Sequence, residues 1–207
     1  MKSITKRITV FALSLCLLGA TALSVSAALP VSEHTVVSGD SMWKIAVKYQ
    51  VGISELISAN KQIANPDLIY PGQVLYIPQQ DSAVRSYESE VVRLVNEIRR
   101  QYGLSSLTEN WELSRVAGFK SQDMKDRAYF DHTSPTYGSP FQMMKDFGIS
   151  YRTAGENIAM GYRSPEAVVN GWMNSSGHRA NILNANFKQI GVGYVAQGNY
   201  WTQMFIG

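Results

Sequence analysis

Apolar residues fall along the chain in three different patterns. The first is one continuous run, Ile8 to about Leu23, between a basic start (Lys2, Lys6, Arg7) and the small residues Val25-Ser26-Ala27. That order predicts a secretory signal over 1–27. An uncleaved anchor competes, since Ile8 to Leu29 is long enough to span a bilayer. Ser14, Ser24, Ser26 and the small-residue end favour cleavage.

The second pattern is short and closely punctuated, from His34 to Pro78. His34-Thr35-Val36-Val37 is β-prone. Ser38-Gly39-Asp40-Ser41 is a turn in which Asp40 or Ser41 can cap a helix. Trp43 to Tyr49 follows, with Met42, Ile45, Ala46 and Tyr49 on one helical face. Val51-Gly52-Ile53 breaks the period, and Ser54 is expected to cap a second helix with Leu56 and Ile57 inward and Asn60 closing it. Asn65-Pro66-Asp67 and Pro71-Gly72 mark loops before a strand, Gln73 to Ile77, that Pro78 ends. The predicted order is β-α-α-β, near the lower size limit for a free-standing core.

Residues 79–86 are polar and aperiodic and read as a linker. The third pattern fills 87–207. Val91, Leu94, Val95, Ile98 and Tyr102 recur at helical spacing up to Gly103. After a loop at Leu104 to Asn110, Leu113 to Tyr129 reads as helix with Val116, Ala117, Met124 and Ala128 inward. Ser139-Pro140 and Ser164-Pro165 start two further helices. Phe187 to Val195 and Tyr200 to Ile206 read as strands joined near Gln197-Gly198-Asn199. Helices followed by strands predict an α+β layered domain.

Composition narrows the function classes. At 45% hydrophobic and 17% charged the chain is globular. The net charge of +3 is carried by Lys2, Lys6 and Arg7, so no nucleic-acid or anionic-membrane partner follows from it. Once the signal is cleaved, no membrane attachment is expected. The only cysteine, Cys16, lies in the signal run, so the exported chain is expected to fold without disulfides.

The stretch 34–78 resembles a LysM domain, through Val37-Ser38-Gly39-Asp40-Ser41-Met42-Trp43-Lys44-Ile45-Ala46 and Asn65-Pro66-Asp67-Leu68-Ile69-Tyr70-Pro71-Gly72-Gln73-Val74-Leu75-Tyr76-Ile77-Pro78. The resemblance implies binding of glycans that contain N-acetylglucosamine, chiefly peptidoglycan or chitin. It puts the sugar between Gly39, Asp40, Ser41 and Met42 on one side and Leu68, Ile69 and Tyr70 on the other. On the residues alone, Trp43, Ile45 and Leu75 read as core, Asp40 as a helix cap, and His34 as a solvated strand-edge residue without function.

The rest resembles the cysteine-free bacterial branch of the CAP superfamily (the cysteine-rich secretory, antigen 5 and pathogenesis-related-1 group). The matching pieces are Val95-Asn96-Glu97-Ile98-Arg99, His132-Thr133-Ser134-Pro135, Gly155-Glu156-Asn157-Ile158, Gly177-His178-Arg179-Ala180-Asn181-Ile182-Leu183, Gly191-Val192-Gly193 and Tyr200-Trp201-Thr202-Gln203. The implied fold is an α-β-α sandwich with a cleft holding two histidines, His132 and His178, and one acid, Glu156. The second family acid would follow Trp172 by three positions, where this chain has Ser175.

Three chemistries stay open. The cleft can bind a ligand, or weakly a metal, without turnover; two neutral imidazoles, His132 and His178, suit Zn²⁺. It can be a hydrolase site, with Glu156 as general acid on a glycosidic bond beside Asp131, or with Glu156 activating water on a His-bound metal. Or the three groups can be structural, with Gly155 and Gly177 as turn residues and Arg179 and Asn181 bracing a loop. Together the resemblances imply a secreted protein of the cell wall or spore envelope that binds peptidoglycan.

Overall fold

The computed structural model describes residues 31–207; the signal read over 1–27, with Cys16, lies outside the described residues. Among the described residues no helix is long and apolar enough to cross a membrane.

The first unit is the expected βααβ. Strand β1 (Val31–Thr35) pairs antiparallel with β2 (Val74–Pro78), from Val31 opposite Pro78 to Thr35 opposite Val74. Helix α1 (Met42–Tyr49) starts at Ser41, whose hydroxyl accepts from the Lys44 amide at 3.2 Å. Helix α2 (Ile53–Ala59) starts one residue before Ser54, with Gly52 at the cap. Val36, Met42, Ile45, Ala46, Leu56, Leu75 and Ile77 form the core.

Two expectations for this unit are corrected. Trp43 is 63% exposed rather than core. With Met42, Ile45 and Ala46 inward, the residue after Met42 is rotated about 100° away from the core. His34 is 7% exposed rather than solvated. Its ring nitrogens lie 3.1 Å from the Tyr49 hydroxyl and 2.8 Å from Asp40 Oδ2, so both polar atoms are partnered and burial is tolerated.

The segment read as a linker is mostly helix. Asp81 accepts from the Ala83 amide and caps α3 (Ser82–Gln101), leaving three residues, 79–81, between β2 and α3. Ser82, Arg85, Ser86 and Ser89 face solvent, while Val84 and the buried Glu88 begin the inward face that Val91, Val92 and Val95 continue. The loop at Leu104 to Asn110 contains a two-residue strand, β3 (Thr108–Glu109).

Helix α4 (Trp111–Asp126) ends before Ala128, which is exposed with φ 53° instead of inward. Helix α5 (Pro140–Asp146) and helix α6 (Pro165–Asn174) start at their expected caps, Ser139 and Ser164, each followed by proline.

Strands β4 (Ala154–Met160), β5 (Gln189–Val195) and β6 (Tyr200–Ile206) join β3 in one sheet of order β3-β5-β6-β4. The β3–β5 pair is parallel and the other two pairs are antiparallel. Helices α3 and α6, with α7 (Ser176–Ile182), cover one face over Trp172, Ile190, Val192, Trp201 and Phe205. Helices α4 and α5 cover the other over Leu113, Val116, Met143, Met144 and Met204. The result is an α-β-α sandwich with β4 at one edge.

Two glycines read as turn residues are not in turns. Gly177 lies inside α7, and Gly155 lies inside β4. A Cβ on Gly155 would stand 2.9 Å from Phe187 Cζ and 3.0 Å from Asn181 Oδ1. Glycine there allows close packing of the strand beneath the chain that follows α7.

Candidate functional site

The site is built on edge strand β4. Successive side chains of a strand point to opposite faces, so Glu156 and Asn157 leave β4 on opposite sides. Each serves one of the two histidines.

On Glu156's side, Oε1 lies 2.7 Å from Nδ1 of His132. The carboxylate is 1% exposed and the imidazole 53%. Burial pushes the Glu156 carboxyl above its ordinary range, opposed by the His132 bond and the Lys120 charge. The bond to Glu156 in turn pushes the His132 imidazole up. Glu156 Oε2 is buried with no partner among the described residues.

The loop carrying His132 is tied to α4 by two buried ions. The Lys120 ammonium, fully buried, donates to the main-chain carbonyls of Asp131 and His132, each at 2.7 Å, and lies 3.3 Å from the Tyr129 hydroxyl. Asp123 accepts from the Tyr129, Ser134 and Thr136 hydroxyls at 2.6–2.7 Å and from Arg127 at 3.1 Å. These donors hold its carboxyl below the usual carboxylate range against the opposing effect of burial. Asp131, weighed as a second carboxylate, stays at the surface and accepts from the Thr133 amide at 2.7 Å.

On the opposite side, fully buried Asn157 donates to the His178 carbonyl at 3.2 Å and to Gln203 Oε1 at 2.9 Å. Asn181 donates to Asn157 Oδ1 at 2.8 Å and to the Glu156 carbonyl at 3.1 Å. Arg99, buried in α3, donates to the carbonyls of Ile182, Asn184 and Ser105 and fixes the far end of α7. Thus α7 presents His178 as a helical residue, correcting the loop expected there, and Asn181 braces a helix against the sheet. Burial, then the nearby charge of His132, hold the His178 imidazole below its ordinary range.

Ser175, standing where the family's second acid would be, ends α6 and starts α7 without a side-chain capping bond. Among the described residues no three His, Cys, Asp or Glu side chains converge as metal ligands. Nδ1 of His132 is already held by Glu156, which leaves Nε2 as its free ring nitrogen.

Lys120, Asp123, Asn157, Asn181 and Gln203 were not read from the sequence as site-building residues. Lys120 had a signal: it continues the inward stripe Leu113, Val116, Ala117, which then resumes at Met124. A lysine on that stripe must be buried or break the helix face.

In the first unit, Thr35 pairs with Val74, and Val36 exchanges main-chain bonds with Gln73 and Gly72. The loops at 37–41 and 68–72 therefore leave the same end of the hairpin. Gly39 has φ 90°, which favours glycine, and Lys44 Nζ closes its loop on the Gly39 carbonyl at 2.7 Å. Asp40 does not cap α1; it accepts from the Val37 amide at 2.9 Å and from His34, and these bonds lower its pKa. Leu68 and Tyr70 are exposed, and Ile69 is half-buried against the core. Met42 is corrected: its side chain is core, leaving only its backbone for a ligand.

The family model of the cysteine-rich secretory protein family, CAP, matches residues 92–205. The chain belongs to the CAP family. The LysM domain model matches residues 34–78. Over 126 residues, 61% of this chain and 49% of the relative, the CAP protein is 64% identical to the uncharacterized protein YkwD of Bacillus subtilis. It is 40% identical over 82 residues, 38% of the chain and 25% of the relative, to the N-acetylmuramoyl-L-alanine amidase sle1 of Staphylococcus epidermidis. A solved extracellular protein containing an SCP domain from Bacillus anthracis superposes with TM-score 0.58 and 34% identity, over 66% of this chain and 47% of that one. The matches thus span about half or less of these proteins' own lengths.

One titration follows from the dyad. His132 gains its raised pKa from the Glu156 carboxylate, so its contribution to stability is full below the unfolded imidazole's 6.5 and is lost as pH rises through the raised folded value. Glu156→Gln keeps an acceptor and removes the charge. The His132 midpoint, read by imidazole NMR, is expected to fall; an unchanged midpoint would refute the dyad.

Proposed function

We propose that this CAP protein is exported, holds peptidoglycan through its LysM domain and presents the His132–Glu156 cleft at the cell wall as a binding site. The observation that carries the reading is the pair of loops, 37–41 and 68–72, leaving one end of the β1–β2 hairpin. One is rich in backbone and small polar groups that can read an acetamide. The other exposes Leu68 and Tyr70 to cover a sugar face. The likeness to sle1, an amidase named for a wall substrate, supports peptidoglycan as the glycan.

The test is co-sedimentation of the mature chain with purified peptidoglycan. Wild type is expected in the pellet and the double variant Leu68→Ala, Tyr70→Ala in the supernatant, with no soluble fragments released. Equal pelleting of both would remove the groove as the glycan site. Running it with vegetative sacculi and with spore cortex separates a vegetative wall role from a spore-envelope role.

A second reading, hydrolysis, is favoured by the dyad. Glu156 is too buried to reach a glycosidic oxygen, so it acts through its neighbour. With Nδ1–H donated to Glu156, a neutral His132 offers Nε2 as a base for water. A metal held by His132 and His178 belongs to this reading and would supply a more acidic water; no step here depends on it. Mass spectrometry of digested peptidoglycan decides: soluble muropeptides from wild type, reduced at least about 100-fold in Glu156→Gln, would make the cleft catalytic.

A further inference from the structure

The LysM and CAP domains touch through an ion pair between α2 and α4. Glu55, in the first turn of α2, accepts from Arg115 Nε of α4 at 2.9 Å, and the two side chains are 32% and 23% exposed. An exposed ion pair of this kind is worth little when both partners are free. Here one partner is held in advance. The Arg115 guanidinium lies over the Phe119 ring at 5.5 Å and the Phe147 ring at 5.6 Å, and those rings pack 5.3 Å apart. Phe147 meets Tyr137, in the loop that Asp123 ties to α4, at 5.8 Å.

Gly52 lies directly against the same pair. Gly52 has an ordinary negative φ, so its backbone does not require glycine. Yet a Cβ there would overlap both the Glu55 carboxylate and Arg115 Nε. Both are side-chain atoms of the pair itself, so a larger residue at 52 would push Glu55 and Arg115 apart rather than meet the α4 backbone.

The connection between the domains is short and bonded to both. Gln79 donates to Ser32 at 2.9 Å, and Gln80 donates at 2.8 Å to Glu88, itself buried in α3. Arg85 of α3 donates to Gln50, just after α1, at 3.3 Å. A three-residue tether keeps Glu55 and Arg115 at high effective concentration, so a pair that is weak between separate molecules can stay closed.

We infer that the Glu55–Arg115 latch, seated against Gly52, locks the LysM and CAP domains into one rigid body. The glycan groove and the His132 cleft are then held in one mutual orientation. A wall strand gripped by the first is presented to the second at a fixed place. This last consequence rests on the glycan reading above; the latch does not.

The test is the distance distribution between spin labels on Lys61→Cys and Gln197→Cys, both exposed positions away from the latch, by double electron–electron resonance. Labelled on a chain prepared without residues 1–27, the protein has no Cys16, so only the introduced thiols react. One narrow distance is expected. Glu55→Gln, Arg115→Gln and Gly52→Val should each broaden it, and the exchange Glu55→Arg with Arg115→Glu should narrow it again. Added salt should broaden the unvaried chain by screening, a readout free of folding defects. A broad distribution in the unvaried chain at low salt, or a narrow one untouched by all three single variants, would overturn the latch. Peptidoglycan pelleting is expected to survive Glu55→Gln. A narrow distance in a chain that fails to pellet would remove the glycan reading and leave the latch standing.

Discussion

Gly193→Ala is expected to destabilise the CAP domain by about 3 kcal/mol or more, at the upper end of overpacking effects. The reason is what the added methyl would strike. On β5, Ile190, Val192 and Tyr194 face α3 and α6, while Gly191 and Gly193 face α4. A Cβ on Gly193 would overlap the Ala117 carbonyl carbon and the Gly118 nitrogen, and one on Gly191 the Leu113 carbonyl carbon and the Ser114 nitrogen. These are main-chain atoms in the middle of a helix and cannot swing aside as a side chain does. The helix must lift off the sheet, opening the contact that buries Val116 and Ala117 and straining the Ser121 bonds to the Gly193 carbonyl and the Thr202 hydroxyl. Urea unfolding checks it. A loss below about 1 kcal/mol would mean that α4 shifts at little cost.

The Gly191-Val192-Gly193 motif was legible as a family feature, and its physical meaning appears only when α4 is seen lying on it. Much else was visible from patterning: the βααβ unit, the proline-started helices α5 and α6, and the β5–β6 hairpin follow from local periodicity and caps. The failures share a cause. Ser82 onward read as linker because the first turns of the helix are mostly polar and put Glu88 on the inward face beside Val84, and α7 read as loop because its hold on the fold is long-range. Asn157, Asn181 and Arg99 bind main-chain groups, which carry no residue identity for a sequence to display. Similarly His132, Glu156 and His178 could be named in advance. That His132 and Glu156 form a bonded pair, with His178 approached from the other side of an edge strand, depends on register: Glu156 opposite Met204 and Asn157 opposite Gln203. Asn96, in the first matching piece, proves structural; its amide exchanges bonds with the Leu107 backbone at 2.9 and 2.7 Å.

Lys120→Met is expected to cost about 3 kcal/mol and to retune the dyad at the same time. Burying an ammonium is costly, and burial indeed holds the Lys120 pKa below its ordinary value, while Glu156, Asp123 and Asp131 oppose that shift. If lysine and partners were all replaced by apolar groups, stability could rise. Methionine replaces only the lysine. The carbonyls of Asp131 and His132 stay behind without their donor, and each hydrogen bond to a charged group is worth roughly 1.5–3 kcal/mol. Part of that loss is recovered because this exposed loop can turn its carbonyls to water, so the net cost falls near the value of one to two such bonds. The electrostatic consequence has a definite sign. Lys120 is one of the groups that lower the Glu156 pKa against burial; without it Glu156 holds its proton to higher pH. On His132 two effects oppose each other: Lys120 lowers its pKa directly by repulsion, and also favours the Glu156 carboxylate that raises it. Glu156→Gln removes the second effect, so in that background Lys120→Met should raise the His132 midpoint above that of Glu156→Gln alone. Unfolding measurements and the imidazole titration separate the two effects. A Lys120→Met protein that loses stability, with the double variant keeping the midpoint of Glu156→Gln, would make Lys120 only a clamp on the loop. Unchanged stability together with that unchanged midpoint would remove Lys120 from the site altogether.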